Sequence, residues 1–302
     1  MIAKEVKRGI RLRKKTRRAL FAKRYEEVFR CPLCEAGMSV VDLKQLVCQN
    51  NHSFDFAKQG YVNLLTRPAK SKYDKALFEA RQQLMKEGSF FAPVLQAIKE
   101  KIEEFVTFQN DELLLLDSGC GEGTHLHTLC YEYLKTNGNV VGVGIDIAKE
   151  GIFVAAKNYD DVIWCVADLA NTPFQDGQFN VILNMLSPSN YQEFHRLLKK
   201  DGILIKVVPT GDYLREVREA LFDSPDKQTY SNESIVKHFK ENFQLIAHEE
   251  VHYTVELSGE HLRALVEMTP LSWSVKKEKI DEFLRKEAME ITVSLEIIVG
   301  RS

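Results

Sequence analysis

The sequence has no long hydrophobic run. No stretch approaches the roughly 20 consecutive apolar residues that a membrane-spanning helix requires, so we expect no membrane segment. Residues 1–15 are basic, but the apolar segment that follows the basic start of a secretory signal is missing, which argues against secretion. Internal repeats are absent as well. We therefore expect a cytoplasmic protein, and its 302 residues leave room for two unequal domains.

Cysteine is scarce, with six in the whole chain. Cys120, Cys130 and Cys165 are scattered through apolar or glycine-rich segments, whereas the other three lie in the first fifth of the chain near a histidine. A reducing compartment with one metal site explains this distribution better than a disulfide framework does.

The early cysteines have the spacing of a metal site. Cys31-Pro-Leu-Cys34 and Cys48-Gln-Asn-Asn-His52 form two pairs with 13 residues between them. Two thiolates on one tight turn and a Cys/His pair on another can surround a tetrahedral ion, and Zn²⁺ prefers such a soft S₃N set. Because four protein ligands leave no open position, we predict a structural zinc. The alternative is three buried cysteines and a surface histidine.

Charge is unevenly distributed. Residues 1–30 contain 12 Lys or Arg and 3 acidic residues, so the rest of the chain is acidic. A basic arm suits a polyanion such as RNA, because Lys and Arg release counterions from phosphates. A solvated extension without a partner is the alternative, since the arm lacks interleaved aromatics. We expect a basic arm (1–30), a zinc ribbon (31–66) and a larger domain (67–302).

Strand and helix patterns alternate in the larger domain, as in a parallel sheet with crossover helices. The run Leu113-Leu-Leu-Leu116 is typical of a strand buried on both faces. Seven strands are predicted, at residues 113–116, 139–146, 162–167, 179–184, 203–208, 243–255 and 290–300. With an antiparallel pair at the end, this order predicts an α/β fold with a seven-stranded Rossmann-like sheet.

A glycine-rich turn follows the first strand and reads Asp117-Ser118-Gly119-Cys120-Gly121-Glu122-Gly123. Glycines there let the backbone approach a ligand closely. The next strand ends at Asp146, whose carboxylate can accept both hydroxyls of a ribose. The third strand ends before Asp168, whose carboxylate can reach an adenine amino group. All three ends meet at one edge of the sheet, where such folds bind ligands.

Two kinds of cofactor compete for this turn. NAD and FAD sites carry G-x-G-x-x-G, whereas this turn reads G-x-G-x-G after an acidic residue, as S-adenosylmethionine sites do. We therefore predict S-adenosylmethionine, held by Asp117, Gly119, Cys120, Gly121, Glu122, Gly123, Asp146 and Asp168. The alternative for Cys120 is a small residue that fills the glycine turn, and the alternative for Asp168 is a residue that caps the turn after the third strand. His125, His127 and His195 are interpreted as surface or structural residues.

Four segments together resemble one protein family. They are the zinc-ligand pairs, Lys58-Gln-Gly-Tyr-Val-Asn-Leu-Leu65, the glycine turn and Met268-Thr-Pro-Leu-Ser-Trp273. This combination is similar to the bacterial 23S rRNA (guanine-N1)-methyltransferases of the tylosin- and mycinamicin-resistance type, which have a class I methyltransferase fold and a zinc ribbon. The resemblance covers roughly residues 29–300, so it gives no role to the basic arm.

The resemblance implies several further features. The ribbon would help recognise a stem-loop of 23S rRNA, and two chains would form a homodimer around an RNA-binding cleft. By position, Cys31, Cys34, Cys48 and His52 match the zinc ligands, the 119–123 turn matches the methionine end of the cofactor site, and Asp146 matches the ribose carboxylate. Phe91 and Tyr213 fall where the family has further cofactor contacts.

We therefore predict methylation of guanine N1 in 23S rRNA. N1 carries a proton at neutral pH, so a base must accept it, and no residue in the sequence identifies that acceptor. Asn184, at the end of the fourth strand, is placed to contact the guanine. A small-molecule methyltransferase and a non-catalytic RNA-binding protein with a methyltransferase fold are the alternatives. Removal of residues 1–66 should abolish methylation of RNA but leave methylation of a small molecule. Calorimetry that showed no binding of S-adenosylmethionine would support the non-catalytic alternative.

Overall fold

The computed structural model describes residues 12–69, 73–87, 90–107, 112–135, 139–224 and 229–302. The first eleven residues of the predicted basic arm lie outside the described residues. In the part of the chain that is described, no helix combines the length and apolar character needed to cross a membrane.

The chain forms one small sheet and one large sheet, with helices between the strands. The strands are β1 (Met38–Val41), β2 (Gln45–Cys48), β3 (Ser53–Asp55), β4 (Val62–Asn63), β5 (Leu113–Ser118), β6 (Val140–Asp146), β7 (Val162–Val166), β8 (Phe179–Met185), β9 (Leu198–Pro209), β10 (Gln244–Ser258) and β11 (Ala288–Arg301). The α-helices are α1 (Lys14–Lys23), α2 (Lys75–Glu87), α3 (Ala92–Phe105), α4 (Thr124–Lys135), α5 (Lys149–Asn158), α6 (Tyr191–Leu197), α7 (Arg215–Leu221), α8 (Glu233–Asn242), α9 (Gly259–Met268) and α10 (Lys277–Phe283).

The large sheet has the strand order β10-β11-β9-β8-β5-β6-β7-β4. The strands β4 to β9 are all parallel to one another. Strand β11 is antiparallel to both of its neighbours, β9 and β10. These directions confirm the predicted α/β sheet and its final antiparallel pair. The predicted count of seven strands is wrong, because the described residues contribute eight strands to this sheet. The additional strand, β4, pairs with β7 through Val62 and Cys165. Two residues are too few to show the apolar run or the alternation that marks a strand.

Helices cover both faces of the large sheet, because its central strands are apolar on both faces. All five residues of β7 are buried, and successive side chains point to opposite faces. One face packs against residues of α2, α3, α4, α5, α7 and α9. The other packs against α1, the small sheet, α6 and α8. The zinc-ribbon segment therefore shares a hydrophobic core with the sheet instead of standing apart from it.

Helix α1 belongs to the arm and packs against the body of the protein. Arg18 is only 3% exposed. Its Nη1 donates to the carbonyl of Val162 at 3.0 Å, and its Nη2 donates to the carbonyl of Ala156 at 3.0 Å and to that of Tyr159. Nη2 also lies 3.1 Å from the carboxylate of Asp160. Residues 14–23 therefore form a helix that is docked on the body of the protein, which the reading of the arm as a solvated extension does not describe. The reading of the arm as an RNA contact stays a prediction.

Candidate active site and metal centre

The four predicted zinc ligands lie together. Their ligand atoms are all within 4.8 Å of one another. The Nδ1 atom of His52 is 3.5 Å from Cys31 Sγ, 3.3 Å from Cys34 Sγ and 3.5 Å from Cys48 Sγ, and the Sγ atoms of Cys34 and Cys48 are 3.6 Å apart. Zn–S bonds of about 2.3 Å and Zn–N bonds of about 2.0 Å give tetrahedral edges of about this length. The donor set therefore fits a structural zinc.

Two tight turns hold these ligands. In the first, the N–H of Glu35 donates to the carbonyl of Cys31 at 2.8 Å, and in the second, the N–H of Asn51 donates to the carbonyl of Cys48 at 2.9 Å. Glu35 and Asn51 both have left-handed backbone conformations, with φ of 62° and 63°. The backbone N–H of Ala36, followed by the side chain of Asn50, lowers the pKa of the Cys34 thiol to about 6 by hydrogen bonding. A thiolate is the form that binds zinc.

A cavity of about 460 Å³ lies at the carboxyl ends of the parallel strands. Five of the predicted cofactor residues line it, namely Phe91, Gly119, Gly121, Asp146 and Tyr213. These residues come from four segments of the chain, since Gly119 and Gly121 share one turn, and the fold brings the segments together. The cavity is thus placed where open α/β folds bind their ligands.

Asp146 is fixed by the turn that it faces. Its Oδ2 accepts from the N–H of Gly121 at 2.8 Å, and its Oδ1 accepts from the N–H of Ala148 at 2.8 Å. Because a carboxylate oxygen has more than one acceptor position, Asp146 can still accept hydrogen bonds from a bound hydroxyl group. Two backbone donors thus orient the carboxylate without using all of its capacity.

Gly119 is in a position that only glycine fits. Its φ is +89°, and a Cβ atom there would overlap the Oγ of Ser187 from the loop after β8. The glycine turn and that loop are therefore in direct contact, with the cavity beside them. The absence of a side chain brings the backbone close to the ligand position.

The turn concentrates acidic groups around one cation. The pKa of Asp117 is raised to about 7, chiefly by burial; the nearby charge of Arg81 lowers it, and the charges of Asp146 and Glu122 raise it. Burial also raises the pKa values of Asp146 and Glu122. A ligand that carries positive charge would favour the ionised form of these carboxyls. A sulfonium and an ammonium group, as in S-adenosylmethionine, fit this surplus of acid.

Four of the predicted cofactor residues point into the protein. Cys120 is 3% exposed, and burial raises its pKa well above the ordinary value, which fits a turn-filling residue. Glu122 is fully buried and accepts from the N–H and hydroxyl of Thr124. A Cβ on Gly123 would overlap the Trp164 ring. Asp117 lies behind the turn, 2% exposed. Their cofactor contacts stay predictions, through backbone atoms or through charge.

Asp168 is exposed and caps a turn. Its Oδ1 accepts from the N–H of Ala170 at 2.9 Å, as the turn-capping alternative expected. The next residue, Leu169, lines the cavity. The predicted contact between Asp168 and an adenine amino group stays a prediction.

Asn184 is fully buried in a hydrogen-bond network, so the structure does not bring its side chain to the cavity wall. Its Nδ2 donates to the carbonyls of Ser118 and Pro188, each at 3.0 Å. Its Oδ1 accepts from Lys206 Nζ at 2.7 Å and from Ser189 Oγ at 3.0 Å. Burial lowers the pKa of Lys206 to about 8. Asn184 therefore braces the loop that carries Pro188, and its contact with a base stays a prediction.

The three histidines considered from the sequence lie apart from the cavity lining. His125 is buried, unlike the surface residue expected, and contacts the Phe91 ring edge-on at 5.2 Å. Burial lowers the pKa of His125 well below its ordinary value. His195 stacks on Phe243 at 4.1 Å, which fits its interpretation as a structural residue. His127, interpreted as a surface residue, is half-buried and stacks on Tyr159 at 4.4 Å.

Three residues that line the cavity were not predicted to be there from the sequence: Tyr73, Arg81 and Trp273. Arg81 lies on α2, with Nε 3.2 Å from Glu122 Oε1 and Nη2 3.5 Å from His125 Nδ1. No local pattern marks it, because its partners lie about 40 residues further along the chain. Trp273 carries a signal, since it ends one of the segments on which the family resemblance depends.

The strand order, the glycine turn and the acid ending β6 define a class I S-adenosylmethionine-dependent methyltransferase. A family model described as "RlmA, N-terminal", a zinc ribbon, matches residues 29–75, and one described as "Methyltransferase domain" matches residues 109–286. The second match alone spans more than half of the chain.

Three relatives narrow the class. The Bacillus subtilis (strain 168) protein YxjB, whose name assigns it to the 23S rRNA (guanine-N(1)-)-methyltransferases, is 43% identical over 275 residues, which cover 90% of this chain and 96% of YxjB. The Streptomyces fradiae 23S rRNA (guanine(748)-N(1))-methyltransferase is 29% identical, and a Micromonospora griseorubida protein with the name of a 23S rRNA (guanine-N(1)-)-methyltransferase is 28% identical. Each match covers 90% of this chain and 96% of the relative. The chain belongs to the 23S rRNA (guanine-N1)-methyltransferase family, which confirms the resemblance seen in the motifs.

Proposed function

We propose that this protein transfers the methyl group of S-adenosylmethionine to N1 of a guanine in 23S rRNA. The observation that carries the proposal is the 43% identity to YxjB across 90% of the chain. The two family models also span the zinc-ligand cluster and the glycine turn of the cavity. When bound, S-adenosylmethionine supplies a methyl group on a positively charged sulfur, and this chain supplies the binding site and the alignment.

The cavity residues divide that binding between them. Asp146, oriented by two backbone N–H groups, accepts the ribose hydroxyls. Gly119 and Gly121 bring the backbone against the methionine end. Arg81, with 22% of its side chain exposed at the cavity, pairs with the methionine carboxylate, and the buried Asp117 complements the positive charge. Together these residues would hold S-adenosylmethionine in the cavity, where it would supply the methyl group.

The guanine must leave its stack to react. N1 lies on the Watson–Crick edge, so a paired or stacked base has to be turned into the cavity. Holding N1 and the methyl carbon in line is then the main contribution of the protein to the rate, and such alignment is worth about 7–11 kcal/mol at most. Asn184 contributes indirectly, because it holds the loop whose residues Leu186, Ser187 and Pro188 line the cavity.

The proposal includes the partners that the family resemblance implies. The zinc ribbon contributes to recognition of a stem-loop in 23S rRNA, and two chains act as a homodimer. A cytoplasmic location is part of it, because the substrate is ribosomal RNA. The division of the chain into arm, ribbon and methyltransferase domain at residues 30 and 66 is likewise a proposal. Gel filtration coupled to light scattering tests the dimer directly.

Methyl transfer to unmodified 23S rRNA tests the function. We expect labelled methyl from S-adenosylmethionine to appear on the rRNA and nuclease digestion to locate it at N1 of one guanine. Asp146→Asn should abolish labelling, while Asp201→Asn, the same change at an exposed position outside the cavity, should leave it intact. Absence of label, or label at another ring position, would contradict the proposal.

A further inference from the structure

Trp273 stands at the mouth of the cavity with 44% of its surface exposed. We propose that it is the stacking surface for the guanine that is turned out of the RNA, an inference that rests on the proposed function. Neither the cofactor assignment nor the zinc site gives this residue a role. The other tryptophan, Trp164, is 1% exposed and packed in the core.

A second aromatic residue fixes the position of the indole. The rings of Tyr73 and Trp273 meet edge to face, with centroids 5.2 Å apart and planes at 65°. Tyr73, 42% exposed, also lines the cavity and lies 6.1 Å from Phe78, ring centroid to ring centroid. Two segments about 200 residues apart in sequence thus bring aromatic rings to one opening. Exposed aromatic surface at a cavity is typical of a binding site.

The backbone below Trp273 is held in place. The hydroxyl of Thr269, a residue only 5% exposed, accepts from the N–H of Leu271 at 3.4 Å, and Ser272 Oγ donates to the carbonyl of Thr269 at 2.9 Å. The N–H of Trp273 donates to the carbonyl of Pro270 at 3.2 Å. A ring on such a turn is ordered before the ligand arrives, so little entropy is lost on binding.

Charge next to the aromatic pair fits an RNA strand. A neighbouring cavity of about 490 Å³ shares Tyr73 and Ile147 with the first and is lined by the exposed side chains of Arg67 and Lys149, together with Glu150. Two cations beside a stacking ring are what the phosphates and base of a single-stranded nucleotide require. The structure therefore favours a nucleobase on Trp273 with its flanking backbone towards Arg67 and Lys149.

Steady-state kinetics and cofactor calorimetry test the role of Trp273. In Trp273→Leu, which keeps apolar volume and removes the ring, we expect KM for the rRNA to rise about tenfold or more, a tenfold change being equivalent to about 1.4 kcal/mol. Trp273→Phe should restore most of the affinity, and both variants should bind S-adenosylmethionine as the wild type does. An unchanged KM in Trp273→Leu would overturn the inference, as would a loss confined to cofactor affinity, which would place the adenine on this ring.

Fluorescence separates this inference from the proposed function. The difference between wild type and Trp273→Phe isolates the emission of Trp273, because the only other tryptophan is buried in both proteins. An RNA hairpin with one loop guanine should quench that emission, and the same hairpin with an abasic site should not. Quenching without methyl transfer to N1 would refute the function and leave the stacking site standing. Methyl transfer without quenching would refute the stacking site alone.

Discussion

Replacement of Asp117 by asparagine should make the cofactor-free protein more stable at alkaline pH. Burial raises the pKa of Asp117 from 3.8 to about 7, so the folded protein holds a proton that the unfolded chain has already released between these values. The free energy of unfolding therefore falls as the pH rises through this window. At about 1.36 kcal/mol per pKa unit, the full effect is about 4 kcal/mol, of which about 3 kcal/mol falls between pH 5 and pH 8.

Urea unfolding at pH 5, 6, 7 and 8, followed by circular dichroism, measures this effect. Between pH 5 and pH 8 the free energy of unfolding of the wild type should decrease by about 3 kcal/mol more than that of Asp117→Asn. Asp146 and Glu122, whose pKa values burial also raises, stay in both proteins, so the difference between the two curves reports chiefly the titration of Asp117. Asp201→Asn, the same change at an exposed position, is the matched control.

Cofactor binding should show the opposite dependence. A positively charged ligand favours ionised Asp117, so the affinity of the wild type for S-adenosylmethionine should rise as the pH passes through about 7, and this rise should be smaller in Asp117→Asn. Parallel stability curves for the two proteins would show that Asp117 does not titrate in this window. The account of an acid kept buried for a cationic ligand would then be refuted.

Three further perturbations address the zinc, the turn and the arm. Cys31→Ser should abolish binding of the single zinc ion and make residues 31–66 sensitive to protease. Cys130 is a buried cysteine outside the cluster, so Cys130→Ser should keep the metal. Zinc retained in Cys31→Ser would contradict the assignment of the metal site. Gly119→Ala should cost about 2–4 kcal/mol of stability and weaken cofactor binding in calorimetry, because backbone strain adds to overlap with Ser187. Gly177 has a φ of +65° and its added Cβ would meet no atom closer than 4.0 Å, so Gly177→Ala should show the backbone strain alone. Equal effects of the two changes would contradict the overlap with Ser187. Arg18→Met should lower the free energy of unfolding by about 3 kcal/mol, because three carbonyls lose the Arg18 donor, although that of Tyr159 keeps Trp164 Nε1. Arg17→Met, exposed beside the same Asp160, should cost less than about 1 kcal/mol, and similar losses would mean that α1 is not anchored by Arg18.

Local pattern predicted most of the elements and the two principal sites. The predicted strands at 162–167 and 179–184 coincide within one residue with β7 and β8, because short apolar runs mark both. The metal cluster was visible because its two pairs are short local motifs. Gly119 and Asp146 could be placed at one edge because the carboxyl ends of parallel strands lie together.

Long-range contacts could not be predicted in this way. Arg81 becomes a cavity residue only because α2 packs beside the turn that follows β5, and nothing near it in sequence distinguishes it from other helical arginines. Asn184 was correctly placed near a strand end, but the direction of its side chain depends on Lys206, in the neighbouring strand. The strand β4 left no pattern, since two residues pair with β7 only in the folded chain.

The pairing of β4 with β7 limits what truncation can reveal. A chain that began at residue 67 would lose Val62 and Asn63 from the border of the large sheet, leaving the N–H and C=O groups of β7 open to pairing with other molecules. It would also strip Phe29 and Leu46 from the core that they share with Ile163. Such a shortened protein would report on misfolding and aggregation before it could report on RNA selection. Point changes on the outside of the zinc turns, for example at Leu33, which is 55% exposed, avoid that confusion.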